Sequence, residues 1–112
     1  MITAKIFRSS HGTISGFEIS GHADYAEEGS DIICAAVSAI AYTAVGYFTE
    51  KKYGGKPPEY SEHDGFMKFR APHIEANHLE DSAATAAVLE ATVIGLKQIE
   101  LSYGTEYIKV ID

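Results

Sequence analysis

Apolar and polar positions alternate from the first residues of the chain. Ile2, Ala4 and Ile6 interleave with Thr3, Lys5 and Phe7, the period of two that sends successive side chains to opposite faces of a strand. Ser10-His11-Gly12 turns the chain, and a second strand is predicted over Thr13–Ser20, so the domain opens on a hairpin. Alternation stops at Gly21. The segment GHADYAEEG, from Gly21 to Gly29, is bounded by glycines, rich in acidic residues and without a periodic apolar pattern, which predicts a mobile surface loop.

The period then changes. Ile33, Val37, Ile40, Ala44 and Tyr47 recur at steps of three and four, and Ala36, Ala41, Val45 and Phe48 widen the stripe over most of the circumference. This predicts a buried central helix to about Lys52, with Ser30 as its N-cap and Asp31 in its first turn. Tyr53-Gly54-Gly55 and the prolines after Lys56 end it. Glu59–Glu62 and Phe66–Arg70 read as a second hairpin across His63-Asp64-Gly65. Asn77 with Glu80 has the form of a capping box for a second helix, striped by Leu89, Val93, Leu96 and Tyr103 and closed by Gly104. A last strand is predicted over Glu106–Ile111. The element order is ββαββαβ, an α+β fold in which two main helices pack on a mostly antiparallel sheet.

Composition adds bounds to this outline. A chain of 112 residues, 46% hydrophobic and 22% charged, fits a single domain, residues 1–112, with enough apolar side chains for one core. No run of about 18 uninterrupted apolar residues and no basic-then-apolar leader pattern is present, so a cytoplasmic location is expected. A formal charge of −7 disfavours a phosphate backbone as direct partner; it either suits basic polypeptides or serves solubility alone. With a lone cysteine and five scattered histidines, neither a disulfide nor a metal site is expected, and no cofactor is implied.

That cysteine falls where chemistry is favoured. Cys34 lies in or just after the first turn of the predicted helix, where free N–H groups and the helix dipole stabilise an anion and hence a thiolate. His22, in the loop just before, is the base that a fold-back would bring to the sulfur. Asp31, Cys34 and Ser38 share a helix face. A carboxylate beside a thiol raises its pKa, so Asp31 either orients His22 or merely starts the helix. Ser38 either hydrogen-bonds the sulfur or the loop backbone, or bonds back to its own helix. Taken singly, Cys34 in an alanine-rich helix also reads as a small buried hydrophobe, and His22 as an ordinary loop histidine.

The segment GHADYAEEGSDIICAAVSAI resembles the signature of the ribosomal-processing cysteine proteases (Prp), in which a G-H-A segment precedes a helix opening D-I-[VI]-C-A-[AG]-[VI]-S. The resemblance implies a cysteine protease domain with Cys34 as nucleophile, His22 as its base, and Asp31 and Ser38 in support. It further implies an endopeptidase that removes the short N-terminal extension of a basic large-subunit ribosomal protein, the one numbered twenty-seven, after a Phe-Phe pair. Homodimers are implied as well. On this reading Gly21 and Gly29 hinge a substrate loop, Asp24, Glu27 and Glu28 attract the basic tail, and Tyr25 packs on the phenylalanines. Backbone N–H groups at the start of the Cys34 helix are the expected oxyanion donors. From other classes come a non-enzymatic acidic module that binds the ribosomal protein during assembly, and a thiol acyl transferase or esterase with the same dyad.

Overall fold

The computed structural model describes residues 1–27, 30–51, 57–74 and 78–112. The order is ββαββαβ, as the sequence predicts: β1 (Ile2–Arg8), β2 (Ile14–Ser20), α1 (Ile32–Lys51), β3 (Glu59–His63), β4 (Phe66–Arg70), α2 (Leu79–Tyr103) and β5 (Ile108–Ile111). The five strands form one sheet in the order β3-β4-β2-β1-β5. Every pairing is antiparallel except that of β1 with β5, in which Ile2 faces Ile108 and Ala4 faces Val110.

The strand alternation decides which face is covered. Ile2 and Ala4 of β1, Phe17 and Ile19 of β2, Met67 and Phe69 of β4 and Ile108 of β5 are buried on one side of the sheet. Both helices pack there. Ile33, Val37, Ala41, Ala44 and Phe48 of α1, with Leu89, Val93, Leu96 and Ile99 of α2, complete the core. Phe69 anchors the layers, its ring centroid 5.1 Å from that of Phe17 in the sheet and 5.4 Å from that of Phe48 on α1. Helix α1, 20 residues long, is long and apolar enough to pass as a membrane span by length and composition alone, with a mean hydropathy of 1.7 over its most apolar 18-residue stretch. Here that apolarity buries one side against the sheet, while Ile40 and Tyr47 pack, half-buried, beside Val88 of α2.

Several boundaries differ from the sequence pattern. The first turn of α1 begins at Ile32, with Asp31 rather than Ser30 as its cap. Helix α2 begins after His78, which makes no side-chain capping bond; Asn77, the expected cap, lies outside the described residues, as does the Tyr53-Gly54-Gly55 terminator. Strand β5 starts at Ile108 because the Tyr107 N–H turns back to the Gly104 carbonyl. Tyr103, the last member of the predicted α2 stripe, stays 41% exposed and meets Tyr25 rather than the core.

Candidate active site

The site is built where α1 begins, beneath the segment that leaves β2. Asp31 organises this junction. Its Oδ1 accepts the N–H groups of Ile33 and Cys34, both at 3.0 Å, the geometry of an N-cap. Its Oδ2 accepts from Tyr25 at 3.0 Å and Ala26 at 3.3 Å, so the same carboxylate clasps the loop to the helix. Partial desolvation pushes this carboxyl up, but the N–H donors of Cys34, Tyr25, Ala26 and Ile33 outweigh it and hold the group below its ordinary value. Asp31 therefore binds backbone, and among the described residues it makes no hydrogen bond to His22.

Cys34 follows in the first turn, half-buried, its sulfur accepting the Ala23 N–H at 3.4 Å. Three of the N–H groups at the helix start have partners within the protein. Those of Ile33 and Cys34 go to Asp31 Oδ1, and that of Ala35 to the Asp31 carbonyl at 3.1 Å. The side-chain cap thus takes up two of the N–H groups that a bare helix end would leave free. Ser38 stands one turn below the cysteine, and the hydrogen bond to the sulfur comes from Ala23, not from this hydroxyl.

The loop predicted to be mobile is tied down over its described residues, 21–27. The Gly21 N–H donates to the Gly65 carbonyl at 2.8 Å in the β3–β4 turn. Gly21 has φ +89°, and a Cβ there would lie 2.3 Å from the Met1 carbonyl oxygen, so only glycine allows this passage. Ala23 is buried and carries the chain under Asp24, whose φ of +57° falls in the left-handed region that aspartate tolerates. The ring of Tyr25 meets Tyr107 edge-on at 5.3 Å and Tyr103 at 6.2 Å. Glu27 is exposed and its carbonyl accepts the Ser30 N–H; Glu28 and Gly29 lie outside the described residues. Asp24 is exposed, 3.4 Å from the Met1 amino group.

Two cavities meet at this junction. One, of about 150 Å³, runs between α1 and the β3–β4 hairpin, walled by Ile2, Ile19, Val37, Phe66 and Met67 with Glu62 and His63 at its edge. The other, of about 440 Å³, lies toward the loop, bounded by Asp24, Ala26, Asp31 and Ala35. His22, Cys34 and Ser38 are the residues that line both. Among the described residues no three His, Cys, Asp or Glu side chains converge closely enough to hold a metal ion.

Sequence reasoning missed the β3–β4 hairpin as part of this site. Gly65 backs the His22 imidazole, and His63 stacks on Phe66 at 4.8 Å beside the smaller cavity. Glu62 accepts hydrogen bonds from the hydroxyls of Tyr42 on α1 and Tyr60 on β3. Those hydroxyls hold the Glu62 carboxyl below its ordinary value; the Tyr42 phenol is pushed up chiefly by its bond to Glu62, and the Tyr60 phenol chiefly by burial and then by that bond. The only local hint was the Asp-Gly turn signal, which speaks of chain reversal and not of a neighbour.

Comparison with known proteins settles the lineage. The family model described as "Cysteine protease Prp" matches residues 1–109. This chain belongs to that family. It is 33% identical over 105 residues to the ribosomal processing cysteine protease Prp of Bacillus subtilis, covering 92% of this chain and 90% of that protein. The crystal structure of an essential ribosomal processing protease Prp from S. aureus, in complex with a covalently linked product peptide, is 26% identical and superposes with a TM-score of 0.78, covering 99% and 98% of the two chains. A second S. aureus Prp structure, in complex with a substrate peptide, is 27% identical with a TM-score of 0.72, covering 98% and 97%. Membership in the Prp family supports a cysteine protease, and Cys34 is the sole cysteine of the chain.

Proposed function

We propose that this protein is a cysteine endopeptidase that removes the short N-terminal extension of a basic large-subunit ribosomal protein, number twenty-seven, after a Phe-Phe pair. The observation that carries the reading is the junction of two cavities on the only thiol of the chain, with His22 and Ser38 beside it. Cys34 Sγ attacks the scissile carbonyl, and His22 takes the thiol proton and returns it to the leaving amine. A thioester forms and water hydrolyses it. Because the Ile33 and Cys34 N–H groups are engaged by Asp31, the Ala23 N–H, which already reaches Cys34 Sγ at 3.4 Å, is assigned to the developing oxyanion as the substrate carbonyl displaces that contact.

Asp31 supports the site by fixing both the helix start and the loop. Ser38 supports it from the cavity wall. Exposed Asp24 and Glu27 give the loop the charge to draw a basic tail, and Glu28 and Gly29 complete that loop in sequence. The apolar wall of Ile2, Ile19, Val37, Phe66 and Met67 in the mixed cavity beside Cys34 suits an aromatic side chain next to the cut. Ile94 and Leu101, exposed and seven residues apart on α2, offer an apolar surface for a homodimer.

The test is mass spectrometry of the extended ribosomal protein incubated with wild type, Cys34→Ala and His22→Ala. One cut after the Phe-Phe pair, absent with Cys34→Ala and slowed roughly 10²–10⁴-fold with His22→Ala, is expected. An intact tail in a persistent complex indicates a binding module instead. Turnover of small acyl donors with the tail untouched indicates an acyl transferase.

A further inference from the structure

We infer that Gly65, in the β3–β4 turn, is a positioning residue for His22, because the space a side chain would fill at this position is the space against which the imidazole Nε2 is seated. The inference rests on His22 as the proton carrier of the proposed reaction. A Cβ built on Gly65 would lie 2.9 Å from His22 Nε2 and 3.6 Å from both ring carbons that flank it. The nitrogen apex of the ring therefore points toward the turn, and a contact of 2.9 Å is well inside the distance at which such atoms pack, roughly 3.5–4.0 Å.

Other contacts hold the turn at this spot. Register places Ser20 opposite Phe66, so the residues entering the loop and leaving the turn are partners in the sheet. One step further, the Gly21 N–H donates to the Gly65 carbonyl at 2.8 Å, fixing the backbone immediately before His22. From the other side, the Tyr42 hydroxyl of α1 reaches Glu62 of β3, so the hairpin is also tied to the helix that carries Cys34. The hairpin thus touches the carriers of both groups. His22 itself is exposed, so a side chain at 65 displaces the ring rather than unfolding the domain.

Gly65 also has φ +70°, so alanine there strains the backbone whatever it meets. Gly65→Asn separates the two effects, since asparagine adopts the left-handed region far more readily yet carries the same Cβ. The probe is a fluorogenic peptide containing the Phe-Phe pair, with Gly65→Ala, Gly65→Asn and His22→Ala measured against wild type.

Both Gly65 variants are expected to lose about 10–100-fold in kcat, the scale of a misplacement near 1 Å, with KM little changed. In each, the His22 ring resonances by NMR should move. Recovery of wild-type kcat in Gly65→Asn overturns the inference, because backbone strain then explains the alanine result. Unchanged His22 resonances in both variants overturn it as well. Wild-type turnover by His22→Ala removes the proton-carrier reading and this inference with it, whereas a slow His22→Ala beside fast Gly65 variants overturns the positioning role alone.

Discussion

The two sides of the candidate site are held by different kinds of contact. Cys34 is placed locally: Asp31 caps the helix by accepting the N–H groups of residues two and three positions on, and the sulfur follows in that same turn. His22 is placed by distant parts of the chain. The carbonyl of Gly65 fixes the residue before it, the turn backs its ring, and Gly21 before it threads past Met1. The difference teaches that the proposed nucleophile is set once a single helix forms, whereas the proposed base waits for the sheet to close. A thiol near a helix start is common; a thiol with a seated imidazole requires long-range order.

The sharpest way to break the comparison is Gly21→Ala. A Cβ there meets the Met1 carbonyl oxygen at 2.3 Å, with φ +89° adding strain, so denaturant unfolding should show a loss of about 2–4 kcal/mol together with most of the activity. A loss confined to activity would mean that the loop adapts and that the His22 side is less dependent on the fold than described.

Asp31→Ala attacks the local side. Loss of the cap is expected to cost about 1–2 kcal/mol, and release of Tyr25 and Ala26 should make the loop amides exchange faster by NMR. Unchanged loop exchange would show that the Tyr25–Tyr103–Tyr107 rings hold the loop without the carboxylate.

Asp31→Asn gives a smaller and pH-dependent effect. Asparagine caps helices about as well as aspartate, so the gap from wild type near neutral pH is small and reflects only the ionic part of the clasp. The folded carboxyl lies below its ordinary 3.8, so its ionic contribution is complete above that pH and is lost as pH falls through the lower folded value. The stability gap between wild type and Asp31→Asn should therefore close below about pH 4, read from melts at stepped pH. A gap constant down to pH 2 would remove the charged clasp.

Smallest is Tyr42→Phe, which unties α1 from β3 at an exposed hydrogen bond and should cost about 0.5–1 kcal/mol. Its use is to sharpen the comparison, because a kcat loss larger than the stability loss would place the hairpin's registration to α1 within the requirements of the His22 side.

The sequence by itself determined the elements and the setting of Cys34. Strand alternation, helical stripes and turn residues specify backbone geometry over a few residues, and these signals placed ββαββαβ and put Cys34 in the first turn. Even there, the choice of cap between Ser30 and Asp31 needed coordinates, since both residue types cap and only the chain path shows which oxygen meets the free N–H groups. The GHA-to-DIIC signature named His22 without showing what seats it. Only the tertiary structure brought β4 beside β2 and so set Gly65 against the imidazole and Glu62 under Tyr42, since strand order is decided by packing among residues far apart in the chain. Physical proximity of that kind leaves no periodic trace in a sequence, which is why the hairpin half of the site was legible only once the sheet was assembled.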